Sequence, residues 1–267
     1  SFPAAGSIKE YAPQDQLNIT SPVMEHHQKN SRGNSIIIST ISRYFRFPSS
    51  FEEILYLSRI QQAMAIRTAV EYWRSRRPVC MGTLYWQLND NWPVASWSSL
   101  EYGGAWKPLH YNAKRFYASQ HVVLLSESPD TPEGYIEVYG INDLSDPLSG
   151  DLELFLYRYD GEIVQHEVMP AVMAPESASL LKTISFPDDE VFRCTHFYFA
   201  RLNPSGLCED TDTAPLENEL LLLRPKRCDI KTAHIAYELK VYKGSIEVEL
   251  SSDVPAFHVV LECENTS

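Results

Sequence analysis

The sequence lacks several features that mark common classes of protein. It contains no run of about 18 apolar residues, which a membrane-spanning helix would need. Positive charge is scarce, since 35 acidic and 23 basic side chains leave a net charge of −12, whereas nucleic-acid backbones are bound by basic surfaces. We therefore expect neither a membrane nor nucleic acid among the partners.

Cysteine and cofactor motifs are also sparse. The five cysteines are scattered without a C-x-x-C pair, and a P-loop, a G-x-S-x-G elbow and an H-E-x-x-H helix are missing. Glu25, His26 and His27 are adjacent on a predicted loop, but neighbouring side chains rarely converge on one ion, so a surface turn is the better interpretation. We expect free thiols, no metal and no cofactor.

The chain opens at Ser1 with neither Met nor a signal-peptide pattern, so we expect a piece of a longer protein. The compartment is left open, because cytoplasmic, periplasmic, secreted and lysosomal locations all fit the sequence. A length of 267 residues suffices for two domains, or for one and a half.

The first part of the chain has the alternation of predicted helix and strand that is typical of an α/β fold. Ser50 and Glu53 form a capping box before an apolar pattern of helical spacing, which predicts a helix over residues 50–77. Residues 79–88 are almost continuously apolar, as in a parallel strand buried on both faces. Residues 109–117 have the pattern of another amphipathic helix. Helix, buried strand, polar loop and helix are typical of an α/β barrel or a doubly wound sheet.

Beyond about residue 120 the pattern changes to short β-rich runs. The clearest are residues 135–141, 152–159 and 196–202. The dipeptides at 160–161 (Asp-Gly) and 243–244 (Lys-Gly) are tight-turn signals between such runs. Short strands punctuated by turns are typical of antiparallel sandwiches, so the sequence predicts at least one sandwich in this part of the chain.

Residues 81–107 hold most of the tryptophan in the chain: Trp86, Trp92, Trp97 and Trp106. Trp86, Asn89 and Asp90 stand at or just past the end of the predicted strand, where the site of a parallel barrel lies. A tryptophan face can lie under the apolar face of a sugar ring, while amide and carboxylate groups bond its hydroxyls. The alternative is that Trp86 only fills the barrel core, as buried aromatic residues commonly do.

The motif G-x-L-Y-W-Q-L-N-D-x-W-P-x-x-S-W, within residues 81–118, resembles the last barrel strand, loop and helix of the β-mannosidases of glycoside hydrolase family 2. Residues 24–34 and 51–66 resemble the preceding segment of the same enzymes. The resemblance is long and specific over the first 118 residues. In the β-rich remainder only the domain order agrees.

This resemblance implies a multidomain architecture. Residues 1–119 would be the C-terminal part of a (β/α)8 TIM barrel, and residues 120–226 an immunoglobulin-like antiparallel sandwich. Residues 227–267 would be the start of a second, truncated sandwich, since a whole one needs about 100 residues.

The resemblance also implies an activity, the hydrolysis of terminal β-D-mannose from β-mannosides by a retaining exo-glycosidase. Residues 1–3 match the end of the family's S-E-[FY]-G-x-Q-S-F-P motif, whose glutamate is the nucleophile. A retaining mechanism needs two carboxylates about 5–5.5 Å apart. Both would precede residue 1, so we expect no catalytic residue in this chain and no activity of it alone.

By the same resemblance, the chain supplies one wall of the sugar pocket. The implied substrate-binding residues are Trp86, Asn89, Asp90 and Trp92. The implied partners are a β-mannoside or mannose-containing oligosaccharide and the N-terminal remainder of the same enzyme.

Two other interpretations stay open. A sister enzyme of family 2, of β-galactosidase or β-glucuronidase type, would share the domain order. A non-catalytic carbohydrate-binding or scaffold fragment would keep residues that stack on sugar rings without paired carboxylates.

Overall fold

A computed structural model describes residues 1–126, 134–205 and 214–262. Its first part is helical and its second part consists mainly of antiparallel sheet. The helices before residue 120 are α1 (Ala5–Lys9), α2 (Pro22–His26), α3 (Gly33–Tyr44), α4 (Phe51–Ser75) and α5 (Pro108–Phe116). In the described ranges, no helix combines the length and apolar character that a membrane crossing requires.

Helix α4 begins as its sequence predicts. Ser50 Oγ accepts a hydrogen bond from the backbone N–H of Glu53 (3.1 Å). The Glu53 carboxylate accepts from the N–H of Ser49 (2.6 Å), one residue earlier than a capping box would have it. Its buried apolar side chains are Leu55, Ile60, Ala63 and Val70. The predicted helices at 50–77 and 109–117 are thus confirmed as α4 and α5.

The predicted buried parallel strand at residues 79–88 is wrong. The segment is irregular, and its large side chains face outward, with Val79 exposed by 92% and Leu84 by 97%. A buried parallel strand needs a bonded neighbour on each side, and the described part of the chain places no strand before residue 120. The apolar run therefore marks a surface that the described residues leave uncovered.

Seven strands form two antiparallel sheets in the described part of residues 120–226. One sheet has the order β1-β2-β5, with β1 (Gln120–Leu125), β2 (Tyr135–Asn142) and β5 (Ser177–Ser185). The other has the order β4-β3-β6-β7, with β3 (Leu148–Arg158), β4 (Ile163–Met173), β6 (His196–Pro204) and β7 (Leu216–Leu221). Side chains of both sheets share one core, including Val122, Val138, Leu152 and Ala200. The predicted sandwich is confirmed.

A short helix, α6 (Glu190–Thr195), interrupts the β-rich part between β5 and β6. Asp189 caps it, since its Oδ1 accepts from the backbone N–H of Val191 (2.6 Å). The tight turn predicted between β3 and β4 is present, with Gly161 at φ +95°. Only glycine adopts such a φ without steric cost, which is why the Asp-Gly signal was informative.

Beyond the sandwich, β8 (Ile235–Tyr242) and β9 (Ser245–Ser252) form a hairpin around Gly244. Its register places apolar side chains opposite one another in the pairs Tyr237–Leu250, Leu239–Val248 and Val241–Ile246. These six side chains share one face of the hairpin, because alternate residues of a strand point to the same side. That face is largely exposed in the described chain.

A buried polar cluster, here called the junction cluster, joins α4 to the sandwich. Arg67 donates to Glu71 Oε1 (3.1 Å) and Asn218 Oδ1 (2.8 Å), and it pairs with Glu219. Asn218 Nδ2 donates to Glu71 Oε1 (3.0 Å), and His121 Nε2 lies 2.9 Å from the same oxygen. Burial by itself would raise the pKa of Glu71, but Arg67 and His121 outweigh it and hold that pKa below its ordinary value.

Replacing Glu71 by Gln should therefore destabilise the protein in a pH-dependent way. A carboxyl whose pKa is lower in the folded state contributes stability above its unfolded pKa of 4.5, and this stability is lost as pH falls through the folded pKa. At pH 7 we expect the free energy of unfolding to fall by about 3 kcal/mol, because the variant removes the buried negative charge that Arg67, His121 and Asn218 share.

Urea denaturation of both proteins at pH 7, 5 and 3 measures this effect. The difference between wild type and Glu71→Gln should shrink at pH 3. Glu238→Gln, an exposed change on β8, is the matched control and should leave the curves unchanged. A difference that stays constant between pH 7 and pH 3 would contradict the assigned role of the Glu71 charge.

Candidate functional site

Residues 85–107, here called the tryptophan loop, are held by backbone hydrogen bonds although they form no strand. The N–H of Gln87 donates to Trp97 O (3.2 Å), and the N–H of Ser99 donates back to Gln87 O (3.0 Å). The N–H of Leu100 donates to Leu88 O (2.8 Å). These bonds satisfy backbone groups that burial would otherwise leave unpaired, so the two ends of the loop are fixed to each other.

Trp86 and Asn89 are exposed residues of the tryptophan loop. The Trp86 side chain is 72% exposed, and the Trp86–Gln87 peptide bond is cis. In the described residues, Trp86 therefore does not fill a core, which was the alternative interpretation. Asn89 is exposed, and its backbone oxygen accepts from Gln87 Nε2 (2.9 Å). The exposed ring and amide suit a ligand platform, and their contact with a sugar stays a prediction.

Asp90 lies on the inner side of the same loop. Its Oδ1 accepts from Ser96 Oγ (2.7 Å) and Gln87 Nε2 (3.3 Å), and its Oδ2 accepts from Ser98 Oγ (2.5 Å). The side chain is buried, and both carboxylate oxygens already have partners. Asp90 is thus placed to hold the loop. Its predicted bond to a sugar hydroxyl stays untested.

Trp92 is half-buried against the histidines that the sequence singled out. Its ring centroid lies 5.3 Å from that of His27 and 5.8 Å from that of His26. His27 also stacks on Tyr11 at 4.2 Å. Glu25 and His26 belong to the short helix α2, where a loop was expected, because Ser21 caps its N-terminus and accepts from the N–H of Met24. In the described ranges no cluster of His, Cys, Asp or Glu could hold a metal ion.

The N-terminal residues lie directly beside the tryptophan loop. Ser1 donates to Ser96 O (2.7 Å) through its amino group and to Gln62 Oε1 (2.6 Å) through its hydroxyl. Phe2 is fully buried and packs in the same apolar cluster as Ala95. The segment that matches the end of the family's nucleophile motif is therefore a neighbour of the loop that carries Trp86.

Sequence reasoning missed Lys107 and Ser98, two buried residues of the tryptophan loop. Both are fully buried, and Lys107 Nζ donates to Ser98 Oγ (3.0 Å). Burial lowers the pKa of Lys107 to about 8, although Asp90 and Glu101 act in the opposite direction. A lysine in a polar loop is nearly always exposed, so no signal in the sequence distinguished this one.

The sandwich matches a family model described as "Mannosidase Ig/CBM-like domain" over residues 134–207. The beta-mannosidase of Rattus norvegicus is 30% identical over 236 residues, which cover 74% of this chain and 26% of that protein. The beta-mannosidase of Capra hircus is 36% identical over 162 residues, 54% of this chain and 17% of that protein. The chain thus spans about a quarter or less of the length of these relatives.

The chain is also similar to solved structures of glycosidases. The beta-D-mannosidase of Dictyoglomus thermophilum matches with a TM-score of 0.87 and 26% identity, covering 99% of this chain and 31% of that one. The exo-chitosanase of Amycolatopsis orientalis matches with a TM-score of 0.70 over 95% of this chain and 33% of that one. At 15% identity, the latter match establishes a shared fold only.

Trp86 is exposed and Trp92 is half-buried, so replacing them should change the free energy of unfolding by different amounts. Trp86→Ala should change the free energy of unfolding by less than about 0.5 kcal/mol, as exposed positions usually do. Trp92→Ala should cost about 1–3 kcal/mol, because its ring packs on His26 and His27. Urea denaturation measures both. If Trp86→Ala were the more destabilising change, Trp86 would be a core residue.

Proposed function

We propose a function from the premise that the chain belongs to the β-mannosidases of glycoside hydrolase family 2, of whose C-terminal region it is the counterpart. In the whole protein, this chain forms one wall of the pocket of a retaining exo-glycosidase that releases terminal β-D-mannose from β-mannosides. The observation that carries the proposal is the exposed Trp86 ring on a loop whose sequence matches the family motif.

The proposal assigns residues 1–119 to the end of a (β/α)8 barrel. Helix α4, the irregular and outward-facing segment 79–88, and helix α5 follow one another along the chain, and a barrel alternates helices with strands. The uncovered Val79 and Leu84 side chains suit a surface that the rest of the enzyme covers. The N-terminal remainder of the enzyme is therefore the proposed partner of this surface.

The proposal divides the sugar contacts among the predicted residues. Trp86 stacks beneath the mannose ring, and Asn89 bonds its hydroxyls, since both residues are exposed. Trp92 borders the pocket, where its half-buried ring also packs on His27. Asp90 acts mainly within the loop, because Ser96 and Ser98 occupy its oxygens. The chain itself supplies no catalytic carboxylate.

The remaining residues have a supporting role in the proposal. Residues 120–226 buttress the barrel through the junction cluster. Residues 227–267 begin a second sandwich, and the apolar face of the β8–β9 hairpin packs against the rest of that domain. A two-stranded hairpin is marginally stable in water on its own, which supports a covered face in the whole enzyme.

Replacing Trp86 by Ala in the full-length enzyme tests the central assignment. We expect kcat/KM for an aryl β-mannoside to fall by about 100-fold, because a displaced sugar no longer lies in line with the catalytic groups. The melting temperature should change by no more than a few degrees, since the ring is exposed.

Trp73→Ala is the matched control, because Trp73 is a partly exposed tryptophan on α4 outside the tryptophan loop. It should leave kcat/KM unchanged. The assignment fails if Trp86→Ala keeps wild-type kcat/KM. Wild-type activity on aryl β-galactosides or β-glucuronides in place of β-mannosides would favour the sister enzymes of the family.

A further inference from the structure

Within the tryptophan loop, the Lys107 ammonium and the Asp90 carboxylate are buried and are bridged by the hydroxyl group of Ser98. Lys107 Nζ donates to Ser98 Oγ (3.0 Å), and Ser98 Oγ donates to Asp90 Oδ2 (2.5 Å). All three side chains are buried. A buried ammonium or carboxylate is strongly unfavourable unless it is paired and hydrogen-bonded, so each of these groups requires the other two.

Two other charged groups lie near Lys107, and one of them, the buried Glu101 carboxylate, acts on the Lys107 ammonium together with Asp90. Glu101 accepts from the backbone N–H of Ala4 (2.7 Å), and Arg59 pairs with Glu262 (2.5 Å). The hydrogen bonds from Lys107 through Ser98 to Asp90 connect the end of the tryptophan loop to its beginning.

The same series of hydrogen bonds extends to the residues that follow Trp86. Asp90 Oδ1 accepts from the side chain of Gln87 (3.3 Å), the residue after Trp86. Ser99, the residue after Ser98, donates its N–H to Gln87 O (3.0 Å) and its hydroxyl to Leu88 O (3.0 Å). A shift of Ser98 or Asp90 would thus be transmitted to the backbone that carries Trp86.

We propose that Lys107 is a positioning residue for the sugar platform, which acts through Ser98 and Asp90 to fix residues 86–88. Lys107 is fully buried, so it touches no substrate. Its ammonium neutralises Asp90 and keeps the carboxylate bonded to Ser96 and Ser98. The proposal rests on the sugar-binding role given to Trp86 above.

The test uses three single variants and one double variant of the full-length enzyme. Lys107→Met removes the charge at similar side-chain length, and Ser98→Ala removes only the bridging hydroxyl. Lys114→Met changes an exposed lysine on α5 and is the matched control. For each we measure kcat and KM with an aryl β-mannoside, the melting temperature, and amide hydrogen exchange across the tryptophan loop and the sandwich.

Lys107→Met and Ser98→Ala should each lower kcat/KM by about 10- to 100-fold, as small displacements of a substrate do. The amides of Gln87, Ser99 and Leu100 should exchange faster, while those of β3 and β6 stay as in wild type. Adding Asp90→Asn to Lys107→Met should recover part of the lost kcat/KM, because the carboxylate no longer lacks its counter-charge. Lys114→Met should match wild type throughout.

A merely structural Lys107 would give a different result. Activity per folded molecule would then be that of wild type, and exchange in the loop would be unchanged or would rise equally in the sandwich. If Lys107→Met did not fold, Ser98→Ala would decide the question, since it keeps both charges. If the wild-type enzyme did not hydrolyse β-mannosides, the proposed function would fail, and loop exchange would still decide whether Lys107 positions Trp86.

Discussion

The arrangement of this chain depends on helix α4, whose first half is bonded to the tryptophan loop and whose second half is bonded to the sandwich. In its first half, Gln62 Nε2 donates to Trp97 O (2.8 Å), and Ser58 Oγ accepts from the backbone N–H of Phe2 (3.1 Å). Near its end, Arg74 donates to Asp143 (2.7 Å). Between them lies the junction cluster around Arg67. One helix therefore sets the position of the loop relative to the sandwich.

The two polar clusters on either side of α4 follow the same physical rule. Buried charges are tolerated when every charge has both a counter-charge and hydrogen bonds, and removing one member leaves an uncompensated group. In the junction cluster this rule fixes a sheet to a helix. In the tryptophan loop, Lys107, Ser98 and Asp90 are joined in the same way, and the proposal is that they fix the backbone next to the exposed Trp86 ring. A rigid polar support beneath an exposed aromatic ring is the preorganisation that a sugar platform needs.

The sequence predicted those features that depend on local pattern. Helix α4 followed from a capping box and helical spacing, and the turns at Gly161 and Gly244 followed from residues that tolerate positive φ. The prediction failed for residues 79–88, because hydrophobicity shows that a segment needs cover but not which chain segment supplies it. Lys107 was missed for a related reason. Its burial depends on Asp90 and Ser98, whose approach is a property of the folded loop.

The central claim is that the tryptophan loop is a wall of the sugar pocket, whereas the sandwich supports it from outside. A crystal structure of the full-length enzyme with a bound mannose-type inhibitor tests this claim most directly. The account predicts that the inhibitor contacts residues within 81–107, with Trp86 beneath the sugar ring, and contacts nothing beyond residue 120. An inhibitor bound in a loop of the sandwich, with Trp86 remote from it, would contradict the account.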